Sequence, residues 1–327
     1  MGCTTSSNVK TWNDLIGNTP LMKFERIFAN HGLNLYAKLE QFNLGGSIKD
    51  RPAILMLEEA LREGKVKPQT TIIESSSGNI GIGLAQVCLR HGLRFVIVVD
   101  PRTTKTNIGI MKALGATIEV VDWPGEQTGS FLESRLERVA ELLKEIPESF
   151  WPNQYANENN PKAHHTTMRE IDVALGGKID YVLCATGTCG TLRGCSEYLK
   201  GLNRSTKIIA VDAEGSVIFG GVPGKRLVPG HGSAMQSSLY RDDMADAVVH
   251  VNDEGCVAGC RLLLEKEAIF AGGSSGAIVS ALAKLKTNIP ENSTVVMILP
   301  DRGERYLDTV YNSAWVGKNL RGIPKLV

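Results

Sequence analysis

The chain has almost no excess of either charge: 36 Lys and Arg stand against 35 Asp and Glu, and no block of like sign occurs. A scattered, balanced charge excludes the electrostatic footprint of a nucleic-acid binder or of a protein held on an anionic membrane surface. No apolar run approaches the roughly 18 residues of a membrane span, and the first residues lack the apolar core of a secretory leader. Neither insertion nor export is expected, so the partners should be small molecules. The opening Met1-Gly2-Cys3-Thr4-Thr5-Ser6 fits an N-myristoylation pattern with a neighbouring palmitoylation cysteine, but polybasic support is missing and no anchor is expected. No C-x2-C pair occurs among the seven cysteines. An odd count spread along a long chain is no disulfide framework and fits a reducing, cytoplasmic setting. Cys184-x4-Cys189-x5-Cys195 and Cys256-x3-Cys260 are read as buried or partly buried thiols, with no metal site. Internal repeats and low-complexity segments are absent as well.

What is present is 327 residues, 43% of them hydrophobic, enough for about two domains. Short β-branched runs alternate with longer amphipathic stretches, the pattern of an α/β protein with parallel-rich sheets flanked by helices. Strands are predicted at 33–39, 70–74, 94–99, 116–121, 180–185, 206–212 and 293–299. Helices are predicted at 49–63, 79–91, 104–114, 130–145, 162–175, 190–200, 255–268 and 276–286, with Gly64, Gly92 and Gly115 as left-handed stops. Gly215 to Ser238 has no period and reads as a long loop. The pattern restarts near Tyr155, after Phe150-Trp151-Pro152-Asn153-Gln154, which divides the chain into a smaller domain, 35–155, and a larger one, 1–34 with 156–327.

Three local arrangements carry chemistry. Asn43-Leu44-Gly45-Gly46-Ser47-Ile48-Lys49-Asp50-Arg51 is a Gly-rich turn that sets Lys49 at a helix opening, with Ser47 able to cap. Positive potential there disfavours the ammonium and suits an amine that attacks a carbonyl. Glu74-Ser75-Ser76-Ser77-Gly78-Asn79 follows a strand and opens a helix, a nest of hydroxyls and amides for a carboxylate. Gly187-Thr188-Cys189-Gly190-Thr191 repeats the strand-turn-helix form as a phosphate cradle. It lacks the Gly-Lys-Ser/Thr ending of a Walker loop, and no G-x-G-x-x-G spacing supports a dinucleotide. An activated lysine together with a phosphate cradle points to pyridoxal 5′-phosphate. Gly272-Gly273-Ser274-Ser275-Gly276 then offers a neutral hydroxyl to the pyridine nitrogen, which weakens the electron sink and favours β-elimination over transamination.

These segments, with Ile16-Gly17-Asn18-Thr19-Pro20-Leu21 and Leu299-Pro300-Asp301-Arg302-Gly303-Glu304-Arg305-Tyr306-Leu307, resemble the fold-type II pyridoxal-phosphate enzymes of the cysteine synthase and cystathionine β-synthase superfamily. The resemblance implies a two-lobed, tryptophan synthase β-like fold, a mobile smaller domain, a larger cofactor-binding domain and a homodimer. It makes Lys49 the Schiff-base lysine and general base, and puts Asn79 beside the cofactor 3′-oxygen. It gives Ser76, Ser77, Gly78 and Gln154 to the substrate carboxylate. Gly187, Thr188, Cys189, Gly190 and Thr191 fall on the cofactor phosphate, and Ser274 at the ring nitrogen. Two departures stand out: Ile80 where the family usually has threonine, and Cys189 where glycine is common.

Within the superfamily, Asn153-Gln154-Tyr155-Ala156-Asn157-Glu158, Asp212 to Gly220, Ile269 to Ser274 and Leu299 to Asp308 are most similar to the N-(2-amino-2-carboxyethyl)-L-glutamate synthases of 2,3-diaminopropionate and siderophore formation. That likeness implies a β-replacement joining O-phospho-L-serine to L-glutamate through an aminoacrylate. Two dianionic substrates require further donors, for which Arg135, Tyr155 and Arg226 are candidates, whereas His164 and His165 read as structural. The alternatives are a cysteine synthase using sulfide, a nicotinamide-dependent reductase without its fingerprint, and a non-enzymatic scaffold, against which the intact Lys49 weighs.

Overall fold

A computed structural model describes residues 10–126 and 129–326; the Met1-to-Ser6 pattern with its Cys3 lies outside the described residues. In chain order the elements are β1 (Leu21–Lys23), β2 (Asn34–Leu39), α1 (Asp50–Arg62), β3 (Thr71–Ser75), α2 (Asn79–His91), β4 (Arg94–Val99), α3 (Lys105–Ala113), β5 (Thr117–Val120), α4 (Phe131–Glu145) and β6 (Ser149–Phe150). There follow α5 (Asn159–Ala174), β7 (Tyr181–Ala185), α6 (Gly190–Gly201), β8 (Lys207–Ala213), β9 (Ala247–Val251), α7 (Asp253–Glu267), α8 (Gly273–Leu285), β10 (Thr294–Leu299) and α9 (Ser313–Asn319).

The strands form two sheets, β1-β2-β10-β7-β8-β9 and β5-β4-β3-β6. Every pairing is parallel except β1 against β2. Parallel sheets are covered on both faces, which is why β7 and β10 read as nearly continuous apolar runs and why they and β3 are almost wholly buried. The helices supply the cover: α1 buries Ala53, Met56, Leu57 and Ala60, the i, i+3, i+4, i+7 stripe of an amphipathic helix, in the core of the smaller sheet. Gly64, Gly92 and Gly115 all have the left-handed backbone predicted for them.

Three sequence expectations need correction. The smaller domain does not begin at residue 35: β2 pairs with β10 from Asn34 to Leu39 and so belongs to the six-stranded sheet. We propose that the smaller lobe starts after it. The last-but-one helix begins at Gly273 and not at 276, with Gly272 as its N-cap, so Ser274 sits in the first turn and does not cap. Ser47 accepts from the Lys49 amide (3.2 Å), and Lys49 itself is the N-cap of α1. The short β1, β6, β9 and α9 were not foreseen, whereas 215–238 is irregular as predicted. Cys88, Cys184, Cys189, Cys195, Cys256 and Cys260 are buried free thiols.

Helices α7 and α8 cross at glycines. A Cβ added at Gly276 would lie 2.0 Å from the Cys256 carbonyl oxygen, and one at Gly259 would lie 2.0 Å from that of Gly276. Backbone on both sides cannot retreat as a flexible side chain would. Gly276→Ala should therefore destabilise the fold by about 2–3 kcal/mol or more. Denaturant titration should show a lowered midpoint at unchanged slope.

Candidate active site

The loops that follow β2, β3, β7 and β10 all leave the carboxyl ends of parallel strands, where open α/β sheets form their crevices. There Lys49, Asn79, Gly187, Thr191, Gly230 and Ser274 line a cleft of about 390 Å³. The structure thus gathers four separately predicted segments on one cavity.

Lys49 is half-buried at the head of α1. Burial lowers its pKa, against the opposing pull of Asp301 and Cys189. Desolvation, more than the helix end, is what disfavours the ammonium. Asn79 opens α2, and both ends of its amide are engaged: Nδ2 donates to Asp301 Oδ2 (2.8 Å) and Oδ1 accepts from Arg305. Ile80 next to it is buried in the smaller lobe's core, so the hydroxyl common in the family has no counterpart here.

The predicted carboxylate loop is held open by its own contacts. Ser76 Oγ accepts from the Gly78 amide (3.1 Å), Ser77 O accepts from Asn107 Nδ2 (3.0 Å), and a Cβ at Gly78 would meet nothing within 4 Å. Gln154 joins this loop, donating through Nε2 to Ser75 O (2.9 Å). Glu74 anchors the junction, accepting from Trp151 Nε1 (2.9 Å), the Ser75 amide (2.8 Å) and the Gln154 amide (3.1 Å).

The predicted phosphate loop ends in the free N–H groups that begin any helix, here α6. Gly187 has no atom within 4 Å of where a Cβ would project, which leaves space for a ligand group. Cys189 occupies a left-handed conformation (φ 68°), the region that glycine enters freely, so the usual glycine at this position has a steric reason. Burial pushes its thiol up to about 12, so it is a packed, unreactive group. Ser274 lines the cleft as a neutral hydroxyl.

Arg135, a candidate substrate donor with Glu133 and Glu137 on either side in sequence, is only 8% exposed. Its Nε approaches Asp100 Oδ2 (3.3 Å) and the Phe131 carbonyl (3.3 Å), while Nη1 is buried without a partner. The Tyr155 hydroxyl is raised in pKa by burial and feels the Arg135 charge, which lowers it. Arg226 is half-buried with an unpartnered Nε, at Gly232 near the cleft.

Several supporting residues escaped the sequence reading. Asn160 Nδ2 donates to Gln154 O (2.7 Å) and to Thr188 Oγ1 (3.2 Å), and Ser237 Oγ donates to Tyr155 O and Thr188 O (both 2.9 Å). They join the carboxylate-side residues to the phosphate loop. His164 lies 3.3 Å from Thr191 Oγ1, and burial, reinforced by the nearby Arg51, holds its pKa well below the usual imidazole value. Asp301, Arg305 and Tyr306 were visible only as part of a family-like segment. Nothing in local sequence marked them as neighbours of Asn79, 222 residues away from Asp301.

Comparison with known proteins defines the class. Residues 13–301 match the family described as pyridoxal-phosphate dependent enzyme, and the chain belongs to that family. It is similar to the O-acetylserine dependent cystathionine beta-synthase of Helicobacter pylori, with 34% identity, TM-score 0.86, 93% of this chain covered and 99% of that one. A hydrogen sulfide-producing enzyme from Fusobacterium nucleatum shares 36% identity with TM-score 0.86, over 91% of this chain and 100% of that chain. The O-acetyl serine sulfhydrylase isoform 3 of Entamoeba histolytica shares 31% identity with TM-score 0.86, over 95% of this chain and 94% of that chain. The protein is thus a pyridoxal-phosphate-dependent β-replacement enzyme of the cysteine synthase family. The desolvated Lys49, the open cradle at Gly187 and the neutral Ser274 in one cleft fit that cofactor.

Burial raises Glu74 to about 7, against the donors from Trp151, Ser75, Gln154 and Asn153, and raises Asp50 to about 7. Between about pH 4.5 and 7 the folded protein keeps a proton on Glu74 that the unfolded chain releases, so stability falls as pH rises through that window. Glu74 alone should account for up to roughly 3 kcal/mol. Glu74→Gln should flatten the slope of unfolding free energy against pH while the Asp50 contribution remains, as chemical denaturation across that range would measure.

Proposed function

We propose that the enzyme joins O-phospho-L-serine to L-glutamate, releasing phosphate and forming N-(2-amino-2-carboxyethyl)-L-glutamate, as a cytoplasmic homodimer in 2,3-diaminopropionate supply for siderophore-type products. The observation that carries this reading is Arg135, a buried guanidinium with an unpartnered Nη1 beside Tyr155. An acetyl ester would not need a second cation, whereas a phosphate ester does. The glutamate assignment is supported by the resemblance over Asp212 to Gly220 and Leu299 to Asp308.

In this reading Thr188, Thr191 and the first amides of α6 hold the cofactor phosphate, Asn79 and Ser274 flank its ring, and Lys49 is its covalent attachment. When bound, the cofactor supplies the carbonyl that captures the donor amine and the electron sink that permits loss of the Cα proton and the β-phosphate. Ser76, Ser77, Gly78 and Gln154 hold the donor α-carboxylate through amides and hydroxyls. Arg135 and Tyr155 receive the phosphate ester. Lys49, released as a neutral amine by its buried setting, takes the Cα proton and returns it after the glutamate nitrogen has added at Cβ. Closing the smaller lobe over the cleft excludes the water that would compete with the acceptor.

Holoenzyme mixed with O-phospho-L-serine should change its visible spectrum, and L-glutamate should reverse the change with an amine-linked adduct detected by mass spectrometry. Reversal by sulfide alone, after O-acetylserine alone, would make the protein a cysteine synthase. Arg135→Ala should slow the reaction with O-phospho-L-serine roughly 10- to 100-fold and leave O-acetylserine almost unaffected, the loss of one charge-assisted contact. Lys49→Ala should abolish turnover with every serine ester.

A further inference from the structure

The amide of Asn79 has ends of nearly equal shape, and an isolated asparagine at a helix start could present either one to a ligand. Here a cation meets one end and an anion the other: Arg305 donates to Oδ1, and Asp301 Oδ2 accepts from Nδ2 at 2.8 Å. Rotating the amide by half a turn would set Nδ2 against the guanidinium and Oδ1 against the carboxylate, losing both bonds and adding repulsion. One hydrogen of Nδ2 is then the donor that the Asn79 amide has left for a group in the cleft it lines.

Both clamping residues are themselves fixed. Asp301 is fully buried, pairs with Ser47 through a backbone bridge, accepts from the Gly272 amide through its carbonyl (3.0 Å), and receives the Tyr306 hydroxyl on Oδ2 (2.7 Å). No retreat is open to its carboxylate, since even a Cβ on Gly272 would lie 2.0 Å from Oδ1. Arg305 is 8% exposed and also donates to the Gly45 carbonyl. The two follow β10 of the six-stranded sheet, whereas Asn79 starts α2 beside the four-stranded one, so the clamp spans both layers.

We propose that Asp301 and Arg305 are positioning residues that lock the Asn79 amide in the one orientation able to donate to the cofactor's 3′-oxygen. The proposal rests on the reading of Asn79 as the residue beside that oxygen, and it assigns the charged pair a purpose beyond filling space.

The test is a double-mutant cycle on cofactor affinity, using the full-length enzyme stripped of cofactor and titrated with pyridoxal 5′-phosphate by fluorescence. Asn79→Ala and Asp301→Asn should each raise the dissociation constant about tenfold, the loss of a charge-assisted hydrogen bond. Asp301→Asn added to Asn79→Ala should raise it no further, and each variant should move the visible band of the bound cofactor in the same sense. Additive effects, or an Asp301→Asn protein with wild-type affinity and spectrum, would overturn the clamp while leaving the Asn79 reading intact. An Asn79→Ala protein with unchanged affinity would overturn that reading and the clamp with it. Should Asp301→Asn not fold, Tyr306→Phe removes one of the two donors that aim the carboxylate. It should weaken cofactor binding about threefold in wild type and not at all in Asn79→Ala, and equal effects in both backgrounds would refute the proposal.

Discussion

The arrangement depends on a buried ion cluster at the root of α1. Arg51 reaches Glu40 through Nε (2.7 Å) and Glu170 through Nη1 (2.7 Å), and Lys38 completes the set on Glu170 (2.6 Å). Two cations meet two anions, so the cluster is neutral as a whole, and Thr19 and Asn43 take up remaining lone pairs of Glu40. Burying such a set gains little against well-packed apolar residues, whereas leaving one member unpaired would be severe. Its value is geometric: it joins β2, α1 and α5 at a point two residues from Lys49. A reactive amine on a loop of glycines would otherwise sample many positions. Here the next turn of the chain is fixed by directional bonds, and the amine can be desolvated without the loop collapsing around it.

The sequence made the chemistry legible wherever one local segment contains it. Gly45 to Lys49, Ser76 to Asn79, Gly187 to Thr191 and Gly272 to Ser275 each put small or hydroxylated residues at a helix start, the first three after a strand. Backbone amides at a helix start act locally, so pattern alone reveals them. Contacts between distant segments were out of reach. Asn160 with Thr188, His164 with Thr191 and Asn79 with Asp301 join residues 27 to 222 positions apart. The burial of Arg135 was out of reach for a related reason: its neighbours on α4 are acidic, but its own position on the helix turns inward to Asp100. Helical period gives a face, and the residues that meet that face come from elsewhere in the chain.

The displaced domain boundary has the same origin. Residues 33–39 read correctly as a strand, yet whether a strand belongs to one lobe or the other depends on its partner, and the partner of β2 is β10, some 260 residues later. Short elements such as β6 and β9 were missed because two to five residues carry too little period to separate strand from loop.

The distribution of charge across the cleft explains how one scaffold serves related reactions. The polar groups proposed to hold the cofactor are neutral: the backbone amides and threonines at the start of α6, the uncharged His164 behind Thr191, and the Ser274 hydroxyl. Fixed dipoles satisfy an anion without committing the ring to strong protonation, which keeps the chemistry at β-elimination and addition. Full charges are confined elsewhere. Asp301 and Arg305 are spent on Asn79, and Arg51 is spent on α1. Arg135, whose Nη1 is buried without a partner, comes from α4, and under the proposed function it would receive the donor's phosphate ester. On that proposal, exchanging such a residue would change which leaving group is accepted and leave Lys49 and its desolvation untouched. Under the proposed function, specificity and chemistry sit on different elements, a separation that would let the same parallel-strand crevice be reused with new donors and acceptors.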